Sequence, residues 1–277
     1  MRPVNTRELE SIEIQLLLEG VYRRYGYDFR DYAPASLKRR IHVCIQKEKL
    51  PSVSALLEKI LHDPTCMERF LLVLSIDVTA MFRDPGFYRA FRSRVVPLLR
   101  TFPFFRIWHA GCASGEEVYS MAILLAEEGL YEKGRIYATD MNEVILKQGK
   151  EGVFPLTVMQ DYTENYIHAG GARAFSEYYT ARYENAIFRA DLKKNIVWAE
   201  HNLATDASFN EFHVILCRNV MIYFNKTLQD RVHKLLFDSL ALHGVLGLGS
   251  KESLKFTPYE DRYEELDGPG KLYRRVK

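Results

Sequence analysis

The stretch Arg106–Ser120, RIWHAGCASGEEVYS, constrains the fold more than any other part of this 277-residue chain. It opens on an apolar pair, Ile107-Trp108, of strand character. Two glycines follow, Gly111 and Gly115, with only Cys112, Ala113 and Ser114 between them. Beyond Glu116-Glu117, the residues Val118, Met121, Ala122, Leu125 and Ala126 recur at the spacing of one buried helical face. Strand, glycine turn and helix in that order make an α/β unit. Glycine carries no Cβ, so such a turn lets backbone N–H groups come close to a ligand.

The turn by itself is compatible with a dinucleotide, a nucleoside or no ligand. Two features narrow the choice. Glu116 and Glu117 occupy the first helical turn, where they repel a pyrophosphate and favour a cationic amine or a ribose hydroxyl. The next apolar run, Arg135–Thr139, ends in Asp140. An acid at the end of a second strand is placed to accept from a ribose diol. Together they favour an adenosine ligand without a phosphate chain, and S-adenosylmethionine fits. An ordinary α/β turn whose acids stabilise the helix dipole gives the same pattern.

Residues 1 to about 76 read as an all-helical domain. Leu9, Ile12, Leu16 and Leu17 give a first apolar face. Pro34 starts a second helix with Leu37, Ile41, Cys44 and Ile45 inward. Its flanks carry Lys38, Arg39, Arg40, Lys47 and Lys49 against Glu48, which is either a solvated face or a docking surface for an acidic protein helix. Ser52–Leu61 and Pro64–Leu74 make two more helices. Residues 77–103 read as a linker and a connecting helix, Phe87–Leu99, with Arg83 in the segment DVTAMFRD.

From residue 104 to 277 strands and helices alternate, as in a doubly wound sheet. Strand candidates are Phe105–Trp108, Arg135–Thr139, Ile196–Ala199, Val214–Cys217, Val245–Leu248 and Leu272–Val276. Leu228–Leu242 reads as a helix with Asn225 as its N-cap and Gly244 as its stop. The tyrosine-rich Phe175–Arg189 reads as a small β excursion, with a turn at Glu184-Asn185. Two strand ends carry polar motifs, His201-Asn202-Leu203 and Cys217-Arg218-Asn219. A core strand that stops in Arg-Asn needs partners for both side chains.

Composition excludes several classes. A net charge of +2 argues against nucleic acid. Four scattered cysteines without a CxxC pair argue against a zinc site or a disulfide framework and suit a reducing cytoplasm. The N-terminus lacks a signal-peptide core, and no run approaches a membrane span.

The set TAMFRD (Thr79–Asp84), WHAGCASGEEVYS (Trp108–Ser120), ATD (Ala138–Asp140), HNL (His201–Leu203) and CRNVMIYF (Cys217–Phe224) resembles the CheR-type chemoreceptor glutamate methyltransferases. The resemblance runs in order from about residue 15 to the end. It implies a Rossmann-like methyltransferase domain with a small antiparallel β-subdomain at about 172–192, preceded by the all-helical domain. It implies S-adenosylmethionine as methyl donor, S-adenosylhomocysteine as product, and the glutamate side chain of a chemoreceptor or related signalling protein as acceptor. Carried over by position, the cofactor contacts are Asp77, Thr79, Arg83, Gly111, Glu117, Asp140, Asn202, Leu203, Asn219 and Val220. Arg83 and Tyr223 stand nearest the transferred methyl. Lys38, Arg39 and Arg40 lie on the receptor-contacting helix. The enzyme is then a cytoplasmic monomer that meets the membrane only through its receptor. The pattern departs from the family's at Asp77, Met81 and His213, none of which removes a motif's central polar residue. The alternatives are a sensing module without turnover, or a methyltransferase with another acceptor.

Overall fold

The structure is a computed structural model and describes residues 6–74 and 79–277. The chain forms two compact units, residues 1–76 with Tyr223–Arg231, and Asp77–Ile222 with Val232–Lys277.

The first unit contains α1 (Thr6–Tyr25), α2 (Pro34–Glu48), α3 (Val53–His62) and α4 (Pro64–Leu74). Pro34 opens α2 where a missing N–H costs nothing, and Lys49 closes it in the left-handed conformation. Ser52 caps α3 by accepting from the Ala55 N–H at 3.1 Å. Leu37, Ile41 and Cys44 point inward, as the periodicity requires. The face of α1 differs from the expectation. Leu17, Leu18 and Val21 are buried, whereas Leu9, Ile12 and Leu16 are 47%, 47% and 56% exposed. The α1 backbone packs closely on α3, where Leu57 fills the space beside Gly20, and this turns the other stripe outward. Glu48 joins three helices by pairing with Lys59 of α3 at 2.7 Å and Arg69 of α4 at 2.6 Å.

The second unit opens with α5 (Pro85–Ala90), a single π-turn (Phe91–Val95) and α6 (Val96–Arg100). One unbroken helix was expected here. Pro97 has no N–H to continue the ladder, and the Val96 N–H reaches back five residues to Phe91 O. Then follow β1 (Phe105–Ala110), α7 (Glu116–Glu127), β2 (Gly134–Asp140), α8 (Glu143–Glu151), β3 (Val153–Pro155), α9 (Met159–His168), β4 (Tyr179–Arg182), β5 (Asn185–Phe188), β6 (Ile196–Glu200), β7 (Phe212–Cys217), α10 (Lys226–Ser239), β8 (Leu240–Leu248), β9 (Tyr263–Asp267) and β10 (Leu272–Arg275). The main sheet has the order β6-β2-β1-β7-β8-β10-β9. β6, β2, β1, β7 and β8 run parallel, and β10 is antiparallel to both β8 and β9. The order reverses at β1, between β2 and β7, which is where such sheets bind ligands at their carboxyl ends. The Rossmann-like sheet with a helical N-terminal domain is the fold class that the motifs imply.

Three details correct the sequence reading. Gly244 is not a helix stop, because α10 ends at Ser239 and Leu240 already belongs to β8. Arg275 holds that junction instead, donating to the carbonyls of Phe237 and Leu240. The small sheet, in order β3-β5-β4, recruits Val153–Pro155 from before the 172–192 stretch. Its turn lies at Tyr183-Glu184, with Tyr183 in the left-handed region.

Candidate functional site

At the carboxyl end of β1, Gly111, Ala113 and Gly115 all take positive φ, +77°, +47° and +91°. The loop is pinned to the end of β2. Gly111 and Cys112 N–H groups donate to Thr139 O at 2.9 Å, and the Ala113 N–H donates to Asp140 Oδ2 at 3.0 Å. The glycines serve packing as well as conformation. A Cβ on Gly115 would stand 2.5 Å from the Trp198 ring, and one on Gly111 would stand 2.7 Å from Val220 Cγ2. The first clash joins the loop to β6. The second joins it to the segment after β7, so Gly111 and Val220 are neighbours.

Asp140 accepts from Asn142 N–H on Oδ1 at 3.1 Å. Burial raises its pKa, and the backbone N–H groups of Ala113, Asn142 and Met141 oppose that rise. The acidic pair divides. Glu116 turns to Ser114 Oγ at 2.8 Å and Tyr162 OH at 3.4 Å. Glu117 turns to His109 Nδ1 at 3.0 Å and Arg218 Nη1 at 2.8 Å. Burial alone would raise Glu117, but the Arg218 charge and the His109 hydrogen bond overcome it and hold the carboxyl at about 2. Glu117 at the start of α7 is therefore held ionised within an ion cluster.

Arg218 is completely enclosed by that cluster. Its Nη2 donates to Asp84 Oδ2 at 2.9 Å, and its guanidinium carbon lies 3.9 Å from the Phe87 ring centroid. Asp84 thus serves as an ion-pair partner of Arg218. Arg83 sits between Phe82 and Asp84, both in the left-handed region at φ +52° and +56°. A buried phenylalanine in that conformation is strained. The turn is held by its ring against Tyr88 at 5.0 Å and Tyr166 at 5.2 Å, and by its N–H donating to Ser120 Oγ at 2.8 Å. Thr79 is half-buried at the start of this turn. Asp77 lies outside the described residues.

After β7, Asn219 takes φ +62°. The segment is organised by Glu252, whose buried carboxylate accepts from the N–H groups of Asn219, Val220, Met221 and Gly249 at 2.9, 2.9, 2.8 and 2.6 Å. After β6, Leu203 is buried, and Asn202 Oδ1 accepts from the Ala204 N–H at 3.0 Å. His201 is packed edge-on to Trp108 at 5.3 Å and donates from Nε2 to Ala207 O at 3.1 Å, so it reads as structural.

Tyr223 belongs to the first unit, where the Arg40 guanidinium lies 5.3 Å from its ring centroid. Arg40 also donates to the carbonyls of Val73 and Leu74 at the end of α4. Its charge is turned onto that helix terminus. Lys38 is exposed and pairs with Glu10, and Arg39 is exposed.

Residues 77–268 match the CheR methyltransferase SAM-binding domain, and residues 12–75 match the CheR methyltransferase all-alpha domain. The chain belongs to the CheR methyltransferase family. A Pseudomonas putida protein, Cher3, provisionally described as a methyltransferase, is 52% identical over 96% of this chain and 97% of its own length. A chemotaxis protein methyltransferase of Listeria monocytogenes is 29% identical over 84% of this chain and 87% of its own. An uncharacterized 104.1 kDa protein of Rhodobacter capsulatus is 28% identical over 90% of this chain, which spans 26% of that protein's length.

As a CheR-family methyltransferase the chain uses S-adenosylmethionine, and its residues fit that group. Asp140 stands at the end of β2 beside the glycine loop, where a ribose diol would meet it, and the ionised Glu117 suits a cationic ligand. No cluster of metal-ligating side chains and no helix long and apolar enough to cross a membrane occurs among the described residues. Two participants, His109 and Glu252, escaped the sequence reading. Arg218 was visible as a charged residue ending a core strand. His109, on an apolar strand, and Glu252, in a polar loop, carried no signal.

Proposed function

We propose that the chain transfers the methyl group of S-adenosylmethionine to a glutamate side chain of a chemoreceptor or related signalling protein, giving the γ-methyl ester. The observation that carries this reading is the pairing of the family's two domains with the site at the ends of β1, β2 and β7. There Asp140 is poised over the glycine loop, and Glu117 is held ionised beside it. When bound, S-adenosylmethionine supplies an electrophilic methyl on a sulfonium. The acceptor needs no base, because a glutamate carboxylate with a reference pKa near ~4.3 is already ionised at neutral pH. That accords with the two buried histidines of this region, His109 and His201, being committed to Glu117 and to aromatic packing.

In this reading Asp140 holds the ribose and Glu117 the cationic end. Asn202, Leu203, Asn219 and Val220 shape the remaining wall. Arg83, carried on its strained turn, orients a carboxylate by charge and direction. Lys38, exposed and paired with Glu10, and the exposed Arg39 present positive charge to an acidic helix. Four buried free cysteines support a cytoplasmic setting.

The test is methyl transfer from labelled S-adenosylmethionine to membranes that contain the organism's chemoreceptors. A base-labile label on a receptor-sized band is expected, since a carboxyl methyl ester hydrolyses in mild base. The Arg83→Ala variant should lose roughly a hundredfold in turnover while its affinity for S-adenosylhomocysteine falls much less. Equal turnover in the two proteins removes the role given to Arg83. Binding without label points to another acceptor or to a sensing module.

A further inference from the structure

Arg218 follows directly on the last residue of a core strand, and its side chain is only 2% exposed. It spends one terminal nitrogen on Glu117 and the other on Asp84, while its face covers Phe87. Glu117 belongs to the first turn of α7. Asp84 belongs to the turn that carries Arg83. One guanidinium thus ties together two elements that the methyltransferase reading places against the same cofactor.

We propose that Arg218 is a positioning residue for cofactor capture: it fixes the Arg83 turn relative to the start of α7. The proposal rests on the methyltransferase reading above. A buried ion cluster gains little stability over well-packed apolar side chains, so what it provides is geometry. Arginine supplies two forked donors in one plane, and lysine, a point charge, cannot hold both acids in that way. The cluster sets two acids, Glu117 and Asp84, against one guanidinium, with His109 on Glu117 and Tyr88 near Arg218. Asp84 is 44% exposed at the wall of a cavity of about 610 Å³, so removing its charge leaves the core intact.

The experiment is calorimetric titration of the full chain with S-adenosylhomocysteine at about pH 8 and about pH 5.5. The proteins are the unmodified chain, Arg218→Lys, Asp84→Asn and the double variant. Each single variant should weaken binding roughly tenfold, and the double variant should be no weaker than Arg218→Lys, because both changes cut one tie. The unmodified chain should bind equally well at the two pH values. Arg218→Lys should be weaker than the unmodified chain at both. A purely structural role would lower the melting temperature without this coupling. Asp84→Asn with unchanged affinity overturns the proposal, even if Arg218→Lys fails to fold, and so do additive losses in the double variant. An unmodified chain that binds neither S-adenosylhomocysteine nor S-adenosylmethionine overturns the methyltransferase reading instead.

Discussion

A carboxylate that accepts from a guanidinium and an imidazole is stabilised only while it is ionised, and Glu117 is in that position. Its pKa of about 2 in the fold lies below an unfolded value near ~4.3. The sign follows from linkage. The stability that Glu117 contributes is complete above the unfolded pKa and is lost as pH falls from there toward 2, an effect on the order of 3 kcal/mol. Urea unfolding near pH 6 and near pH 3 should therefore show a steeper acid loss in the unmodified protein than in Glu117→Gln. Parallel losses would mean that the cluster does not discriminate the charged form. At this scale the sequence revealed positions better than partners. Glu117, Asp140 and Asn219 could be singled out because each stands at a strand end or helix start. Their partners could not, because Arg218 and Glu252 meet them only across the sheet's edge, at separations of 101 and 33 residues for the two contacts concerned.

At the scale of elements, α1 shows how periodicity fails. Leu9, Ile12, Leu16 and Leu17 satisfy a helical stripe, yet the stripe that packs is the one through Leu17, Leu18 and Val21. A helix with apolar residues on two faces does not announce which one its neighbours will cover; the close approach of α3 at Gly20 decides it. Leu17→Ala should therefore cost roughly 2–5 kcal/mol in chemical denaturation, whereas Leu16→Lys should stay within about 0.5 kcal/mol. The parallel strands were legible because burial on both faces makes them continuous apolar runs. β9, YEELD, was not, since an edge strand needs no such run and its acids read as loop. The end of α10 misled for a related reason. Its apolar spacing resumes at Leu240 just after Asp238-Ser239, and the capping group, Arg275, comes from a distant strand.

At the scale of the molecule, the two-unit plan was legible from the change in rhythm near residue 76, but the return of Tyr223–Arg231 to the first unit was not. That segment reads as the continuation of the motif that precedes it. Its place depends on aromatic contacts such as Phe224 against Tyr32, with ring centroids 5.0 Å apart, and on Asn225 donating to Asp31 at 2.9 Å. A fragment of residues 1–76 therefore lacks part of its own core. Appending residues 223–231 through a flexible linker should raise its melting temperature on the order of 10 °C by circular dichroism, and no change would show that the segment contributes little to that unit. The packing of Trp198 on Gly115 has one more consequence. The chain has two tryptophans; the other, Trp108, donates its indole N–H to Thr139 at 2.8 Å, beside the same loop. Excitation at the red edge of indole absorption would therefore report on one neighbourhood alone, so the unlabelled protein carries its own optical gauge of the glycine loop.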